Sequence, residues 1–195
     1  MSFENAEQNL KEFGKDLKLE GLAFDENKTC ILGIDNAFSL HLTYEPNSDR
    51  LYLYSPVLDG LPKDQKTLLL LYSTLLEGSM LGGQMAGGGI GVAPKEELIL
   101  IHAVLEMGAS ADASLLSRFA PLFVEVVEQW RGIAGKIING SFDKERDMPK
   151  FPGAPGGRPG AAARPVGSGP VQGQGQGGSP NTDTGRKPGD SYIKI

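Results

Sequence analysis

Cysteine and histidine are scarce in this sequence of 195 residues, which contains one cysteine, Cys30, and two histidines, His41 and His102. A single cysteine cannot form a disulfide within the chain, and the three side chains lack the spacing of the usual zinc sites. A disulfide scaffold is therefore excluded, and a zinc enzyme is not indicated. We expect a protein of a reducing cytoplasm that binds no metal and no other cofactor.

Long apolar segments are missing as well. The N-terminal residues MSFENAEQNLKEF are polar and contain no apolar signal segment. No run in the chain approaches the roughly 18 apolar residues that a membrane-spanning helix needs. The sequence therefore predicts a chain that is not inserted in a membrane.

Basic residues are in deficit over the first part of the chain. Residues 1–140 hold 11 Lys and Arg against 19 Asp and Glu, whereas residues 141–195 hold 8 against 5. An acidic body repels the phosphates of nucleic acids and of anionic membranes, so we expect neither as a partner. Composition changes at the same boundary, because glycine and proline dominate from Gly153 onward. We predict a folded domain over residues 1–140 and a flexible Gly/Pro-rich tail over residues 141–195.

Apolar periodicity indicates both helices and strands within the body. Apolar residues at spacings of three and four predict an amphipathic helix over residues 3–17. Strand-like runs follow at 29–35, 38–45 and 50–57, and the short linkers between them favour hairpins. At the other end of the chain, SYIKI at 191–195 is compatible with a docked strand or with a disordered end.

A second helix, opened by Pro62, carries more apolar surface than one core contact needs. Leu70 and Leu81 lie on the far side of its apolar face. We interpret the excess as a self-association surface; the alternative is a helix sunk in its own core. The residues assigned to the dimer interface on this helix and on the strand after it are Leu68, Leu69, Leu71, Tyr72, Leu75, Leu76, Met80, Ile90 and Val92.

Strands at 89–93 and 98–106 and a last helix to about Lys136, capped by Ser110 or Asp112, complete the pattern. The predicted order is α-β-β-β-α-β-β-α. This order is typical of a two-layer α+β fold with a mostly antiparallel, twisted sheet.

The segment EGSMLGGQMAGGGIGV at 77–92 holds seven glycines but matches neither a Walker A loop nor G-x-G-x-x-G. It also leaves the C-terminus of a helix, whereas phosphate loops enter a helix N-terminus. We predict a left-handed helix stop at Gly82 and Gly83, followed by a turn into the next strand.

Catalytic patterns are equally weak. There is no G-x-S-x-G elbow. Cys30 lies in a strand and is expected to be a small buried hydrophobe. His41 is expected on the solvated face of its strand, and His102 as a satisfied core or edge histidine. No enzyme is indicated, and a binding protein remains.

The sequence resembles the class I type III secretion chaperones, the Tir chaperone (CesT-like) family. The element order and the run LLEGSMLGGQMAGGGIGVAPKEELILIHAVLEM carry this resemblance. The segments NAEQNLKEFGKDLKL, FDENKTCIL, FSLHLTYE and SDRLYLYSPVLDGLP are similar to multiple-cargo members from chlamydia-type intracellular bacteria. The likeness covers roughly residues 3–137, and the Gly/Pro-rich tail is not part of the general family pattern.

The resemblance implies a homodimer in the bacterial cytoplasm that holds N-terminal chaperone-binding segments of several effectors in extended form, without ATP. It implies delivery to the secretion apparatus, with a secretion ATPase or sorting platform as a further candidate partner. A peptide-binding adaptor outside secretion and an unrecognised enzyme are the rival classes.

The cargo candidates lie on the first helix and on the second and third strands. For each of them, burial of the helix against the sheet is the competing interpretation. They are Phe3, Leu10, Phe13, Leu17, Leu40, Leu42, Leu51 and Leu53, with Tyr52 and Tyr54 on the opposite strand face.

Overall fold

A computed structural model of the chain describes residues 2–19 and 21–149. The predicted order of helices and strands and the α+β class are confirmed. The SYIKI segment and most of the predicted tail lie outside the described residues. The elements are α1 (Ser2–Asp16), β1 (Thr29–Ile34), β2 (Phe38–Glu45), β3 (Arg50–Asp59), α2 (Gln65–Ser79), β4 (Gly89–Ala93), β5 (Leu98–Glu106), α3 (Leu115–Ile138) and α4 (Lys144–Asp147).

The five strands form one antiparallel sheet in the order β1-β2-β3-β5-β4. Alternation along each strand divides the sheet into two faces. The face toward the helices is apolar and buried, whereas the opposite face carries half-buried polar and aromatic side chains such as His41, Tyr52 and Tyr54. At the β1–β2 turn, Asp35 and Asn36 both have positive φ, 47° and 55°, as a tight type I′ hairpin requires.

Helix α1 is fixed to the start of α3 by Asn9, a fully buried residue that the sequence did not single out. Its side-chain amide donates to the Asp112 carbonyl at 3.1 Å, and its Oδ1 accepts from the Leu116 backbone N–H at 3.0 Å. Ser114 precedes α3 without a capping hydrogen bond from its own side chain. The N-cap position is therefore neither Ser110 nor Asp112, but the prediction holds in part: the Asp112 carboxylate accepts from the Ser114 backbone N–H at 2.9 Å, and Asn9 of α1 satisfies the Leu116 N–H.

Helix α2 also differs at both ends from the prediction. Its N-cap is Asp64, whose carboxylate accepts from the Thr67 N–H at 2.8 Å, so Pro62 precedes the helix instead of occupying its first turn. The helix ends at Ser79, and a 3₁₀ turn over Met80–Gly82 follows. The left-handed residues there are Leu81 and Gly82, while Gly83 is right-handed.

Ordered structure continues past Gly140, where the composition indicated the start of the tail. Helix α4 begins after Asp143, which accepts hydrogen bonds from the Glu145 and Arg146 backbone N–H groups. Phe142 and Met148 pack against the core on either side of this helix. The folded body therefore includes residues 141–149, because local hydrogen bonds and two apolar anchors hold a segment whose composition is polar.

Candidate protein-binding surfaces

Six of the ten cargo candidates are core residues. Their side chains are at most 5% exposed, because they belong to one core in which α1 packs on α3 and α3 packs on the sheet at β3. Their assignment as cargo contacts is corrected to a structural role. They are Leu10, Phe13, Leu40, Leu42, Leu51 and Leu53.

The other four candidates remain accessible in different places. Phe3 is half-buried against the rings of Phe24 and Tyr44, with centroids 5.8 and 5.1 Å away. Leu17 is half-exposed beyond the end of α1. Tyr52 and Tyr54 lie on the sheet face that carries no helix among the described residues. The structure therefore does not bring the ten candidates together into one site.

An apolar hollow of about 200 Å³ lies between α2 and β4. We call it the α2–β4 groove. The buried Leu75 forms part of its wall, and Leu76, which is 61% exposed, opens it to the surface. Its lining is Tyr72, Leu75, Leu76, Ile90, Val92 and Pro94.

Apolar surface continues beyond this groove along α2. Leu69, Met80 and Leu81 are exposed, and Leu81 is 97% exposed. Of the predicted dimer residues, Leu71 and Leu75 are buried in the chain's own core and Leu68 is half-buried. One side of α2 is therefore buried in the chain's own core, whereas the other side is exposed, and self-association through the exposed side stays a prediction.

The glycine segment after α2 is packed too closely to accept side chains at two positions. A Cβ on Gly88 would lie 1.8 Å from the His102 carbonyl oxygen, so the backbone there lies directly against β5. A Cβ on Gly82 would lie 2.8 Å from the backbone of Gly87, whose N–H donates to the Gly82 carbonyl at 2.9 Å. A side chain at position 88 would force the loop away from β5, and one at position 82 would open the turn. These glycines therefore let the chain pass closely over β5 on its way from α2 to β4.

At the opposite side of the sheet, β1 is an edge strand whose outer side pairs with no further strand among the residues that the structure describes. The Tyr44 N–H donates to the Lys28 carbonyl at 2.9 Å, which makes this pair a hydrogen-bonded one. Antiparallel pairs alternate, so the N–H and C=O groups of Ile31 and Gly33 point away from β2. We call these groups the β1 edge.

The β1 edge is apolar as well as open. The Ile31 side chain is 60% exposed. The upstream end of the strand is closed, because Thr29 already exchanges hydrogen bonds with Asp25 at 2.8 and 2.9 Å. The downstream part of β1 is therefore the part that an added strand can use.

A third surface, which the sequence did not indicate, runs beside α1. Two adjoining hollows of about 450 and 370 Å³ share Lys11, Gly21 and Leu22. We call them together the α1 groove. Leu19 lies at one end of it and Phe24 at the other. The loop after α1 has no apolar periodicity, so no sequence pattern marked these residues as a surface.

The histidine surroundings do not resemble a nucleophilic site. The Ser39 hydroxyl and His41 Nε2 lie 2.8 Å apart, and the His41 ring stacks on Tyr54 at 4.9 Å. Burial lowers the pKa of His41. Among the described residues no carboxylate hydrogen-bonds to this imidazole, whereas an orienting acid is part of the usual triad.

Cys30 is buried in the sheet, and its predicted role as a small hydrophobe fits that position. Burial raises the pKa of its thiol, and the nearby Asp25 carboxylate adds to the effect. Over the described ranges no cluster of His, Cys, Asp and Glu could hold a metal ion. No helix within those ranges has the length and apolarity to cross a membrane.

Comparison with known proteins points to one family. No curated protein sequence matches the chain. A chain in the HopA1–SchA chaperone–effector complex has the same fold, with a TM-score of 0.52 and 23% identity over 66% of this chain and 94% of that one. A chain in the ExsC–ExsE complex has a TM-score of 0.56 and 16% identity over 67% and 94%. The sequence profile of the Tir chaperone protein (CesT) family matches residues 8–131, which is more than half of the chain, and the protein is therefore a member of this family.

Proposed function

We propose that the protein is a type III secretion chaperone that holds N-terminal segments of secreted effectors in extended form. Family membership and the fold shared with a chain of a chaperone–effector complex support this function. The observation that carries it is the open β1 edge, with the exposed Ile31 at its centre. An exposed edge of this kind can take up an extended peptide through main-chain hydrogen bonds, which demand little of the peptide's sequence.

The proposed working form is a homodimer in the bacterial cytoplasm. The α2–β4 groove and the exposed Leu69, Leu76 and Met80 form an apolar surface on one side of the monomer. Two copies related by a twofold axis would cover this surface with its own equivalent. Because the β1 edge is at the other end of the strand order, the dimer would leave both β1 edges open.

Main-chain pairing at the β1 edge would demand little of the peptide's sequence. One site could therefore bind several effectors, as expected for a multiple-cargo chaperone. Main-chain pairing at Ile31 and Gly33 would fix the cargo backbone, and the α1 groove would receive apolar side chains. Binding of this kind needs no ATP. The effector-bound dimer would then deliver its cargo to the secretion apparatus by way of a secretion ATPase or sorting platform.

Substitution at Ile31 tests the cargo site. Ile31→Pro removes the outward N–H of the β1 edge without removing a bond to β2. Ile31→Thr is the matched control, because it keeps the N–H and the β-branched shape. Each variant is co-expressed with tagged N-terminal segments of secreted effectors, and the retained segment is quantified after affinity capture.

We expect Ile31→Thr to retain effector segments and Ile31→Pro to lose most of them while both remain folded by circular dichroism. Equal capture by the two variants would contradict binding at the β1 edge. Failure of the parent protein to capture any secreted protein, with other peptides captured instead, would favour an adaptor outside secretion.

A further inference from the structure

Lysines line one half of the α1 groove although the folded body is acidic. Lys11, Lys15 and Lys18 follow one another at spacings of four and three and border the same hollow. Lys15 pairs with Glu12 of its own helix at 2.7 Å, in a salt bridge that is exposed and therefore weak. Among the described residues Lys11 and Lys18 have no ion pair. Their positive charge is available to a ligand.

The floor between these lysines is apolar and closely packed. A Cβ on Gly14 would lie 3.2 Å from the Leu22 Cβ and 3.2 Å from the Leu19 carbonyl oxygen. Leu22 is half-buried and Leu19 is half-exposed, so hydrocarbon remains accessible beside the charges. The hollow therefore offers apolar contact and cationic groups within one stretch of surface.

The groove is also graded in charge. Glu7 and Lys11 border the hollow nearer the start of α1, whereas Lys11, Lys15 and Lys18 border the hollow nearer its end. A ligand with carboxylates at that end would gain attraction from Lys15 and Lys18, which do not border the hollow of Glu7. This difference in charge thus favours an extended ligand that lies along α1 with its carboxylates near the end of the helix.

We infer that the α1 groove selects segments of secreted cargo that combine apolar side chains with Asp or Glu residues. The inference rests on the proposed chaperone function and specifies the class of peptide that its site takes. The chain's own remaining segment does not fit this description. Residues 150–195 hold six Lys and Arg and two Asp and Glu, so this segment carries the wrong sign for the lysines.

Selection from a random peptide library displayed on phage tests the inference with the full-length protein. Lys11→Gln/Lys15→Gln/Lys18→Gln removes the three positive charges of the groove. Lys63→Gln/Lys66→Gln/Lys95→Gln is the matched control, because it removes three exposed charges elsewhere on the body. The Asp and Glu content of the enriched peptides is compared among the parent and the two variants.

We expect the parent and the control to enrich peptides with apolar residues and Asp or Glu, and the groove variant to lose the acidic preference. An enriched peptide should bind the groove variant roughly ten-fold more weakly than the parent at low salt, with the difference shrinking as salt rises. Replacing its carboxylates by amides should have the same effect on the parent and little effect on the groove variant.

Two other results would overturn the inference in different ways. Enrichment of apolar peptides with no acidic preference, or with the same preference in the groove variant, would contradict the inference and leave the proposed function standing. Enrichment of no peptide by any of the three proteins, together with no capture of effector segments, would contradict both.

Discussion

Gly78 on α2 lies so close to Trp130 on α3 that a Cβ at position 78 would come within 2.1 Å of the indole Cη2. The indole is fully buried, and its Nε1 donates to the Gln84 carbonyl at 2.8 Å. One side chain thus sets the distance between two helices and also holds the glycine segment. Through this contact the packing of the core sets the position of α2, whose other side is exposed.

Gly78→Ala should lower the stability of the protein. Alanine favours the helix by up to about 1 kcal/mol over glycine, but the added methyl forces the indole to move, which costs about 1–3 kcal/mol in a packed core. We expect a net loss in the free energy of unfolding. Urea denaturation followed by the fluorescence of Trp130, the only tryptophan, measures it at fixed protein concentration.

Gly132→Ala on α3 is the matched control, because the Cβ that it adds meets nothing within 4 Å beyond its chain neighbours and the adjacent backbone of its own helix. This variant should be unchanged or more stable by up to about 1 kcal/mol. Equal stability of the two alanine variants would show that the Gly78–Trp130 contact does not constrain the helices.

Asn9→Ala should cost about 1–3 kcal/mol of unfolding free energy, because it leaves the buried Leu116 N–H without its partner. Gln8→Ala removes an exposed side chain from the same helix, whose bond to Glu12 is local, and should change stability by less than about 0.5 kcal/mol. Thermal and urea unfolding distinguish the two. If Asn9→Ala lowered the free energy of unfolding no more than Gln8→Ala does, α1 would not be anchored to α3 through the Asn9 amide.

Leu76→Glu/Val92→Glu should give a folded monomer. Both side chains are exposed at the α2–β4 groove, so two carboxylates there cost the monomer little and would be buried unpaired in the dimer. Leu122→Glu, at a residue of α3 that is 50% exposed, is the control for an apolar-to-acidic change outside the groove. Sedimentation velocity checks the masses, and a dimeric double variant would exclude the groove as the interface.

The Asp147 carboxylate should make the docking of α4 sensitive to acid. Hydrogen bonds from Arg146, Lys136 and the Asp143 N–H hold the pKa of Asp147 well below its usual range. Its side chain is only 3% exposed. A lowered pKa contributes stability that is present at neutral pH and is lost as pH falls from about 4 toward the folded-state value.

Asp147→Asn should therefore be less stable than the parent at pH near 7, and this difference should narrow as pH falls below about 4. Glu145→Gln, whose side chain is exposed on the same helix, is the control. Thermal unfolding at a series of pH values measures the difference in stability between the parent and Asp147→Asn. A difference that does not change with pH would refute the role given to the Asp147 carboxylate.

The periodic segments made most of the fold predictable, since amphipathic spacing marked α1 and alternation marked β2 and β3. The same patterns could not separate a buried leucine from a ligand contact. Leu40 and Leu76 are equally apolar in the sequence, yet only the arrangement of elements covers the first and exposes the second. Whether a residue is buried depends on which other helix or strand packs against it, and the spacing of residues along the chain does not contain that information.

Polar contacts between distant segments were the other part that the sequence could not give. Asn9 caps a helix 107 positions away, and no local motif signals such a partner. Residues 141–149 have a tail-like composition but are held by Asp143 and Asp147. The α1 groove is formed in part by a loop without periodicity, so no sequence pattern marked its lysines as part of a surface.

Light scattering coupled to size-exclusion chromatography tests the homodimeric effector chaperone most directly. We predict that the protein alone elutes with twice the 20.8 kDa mass of the chain, and that co-expression with an effector N-terminal segment adds the mass of that segment to the same peak. A monomeric mass in both samples, with the effector segment absent from the peak, would contradict both the dimer and the chaperone function.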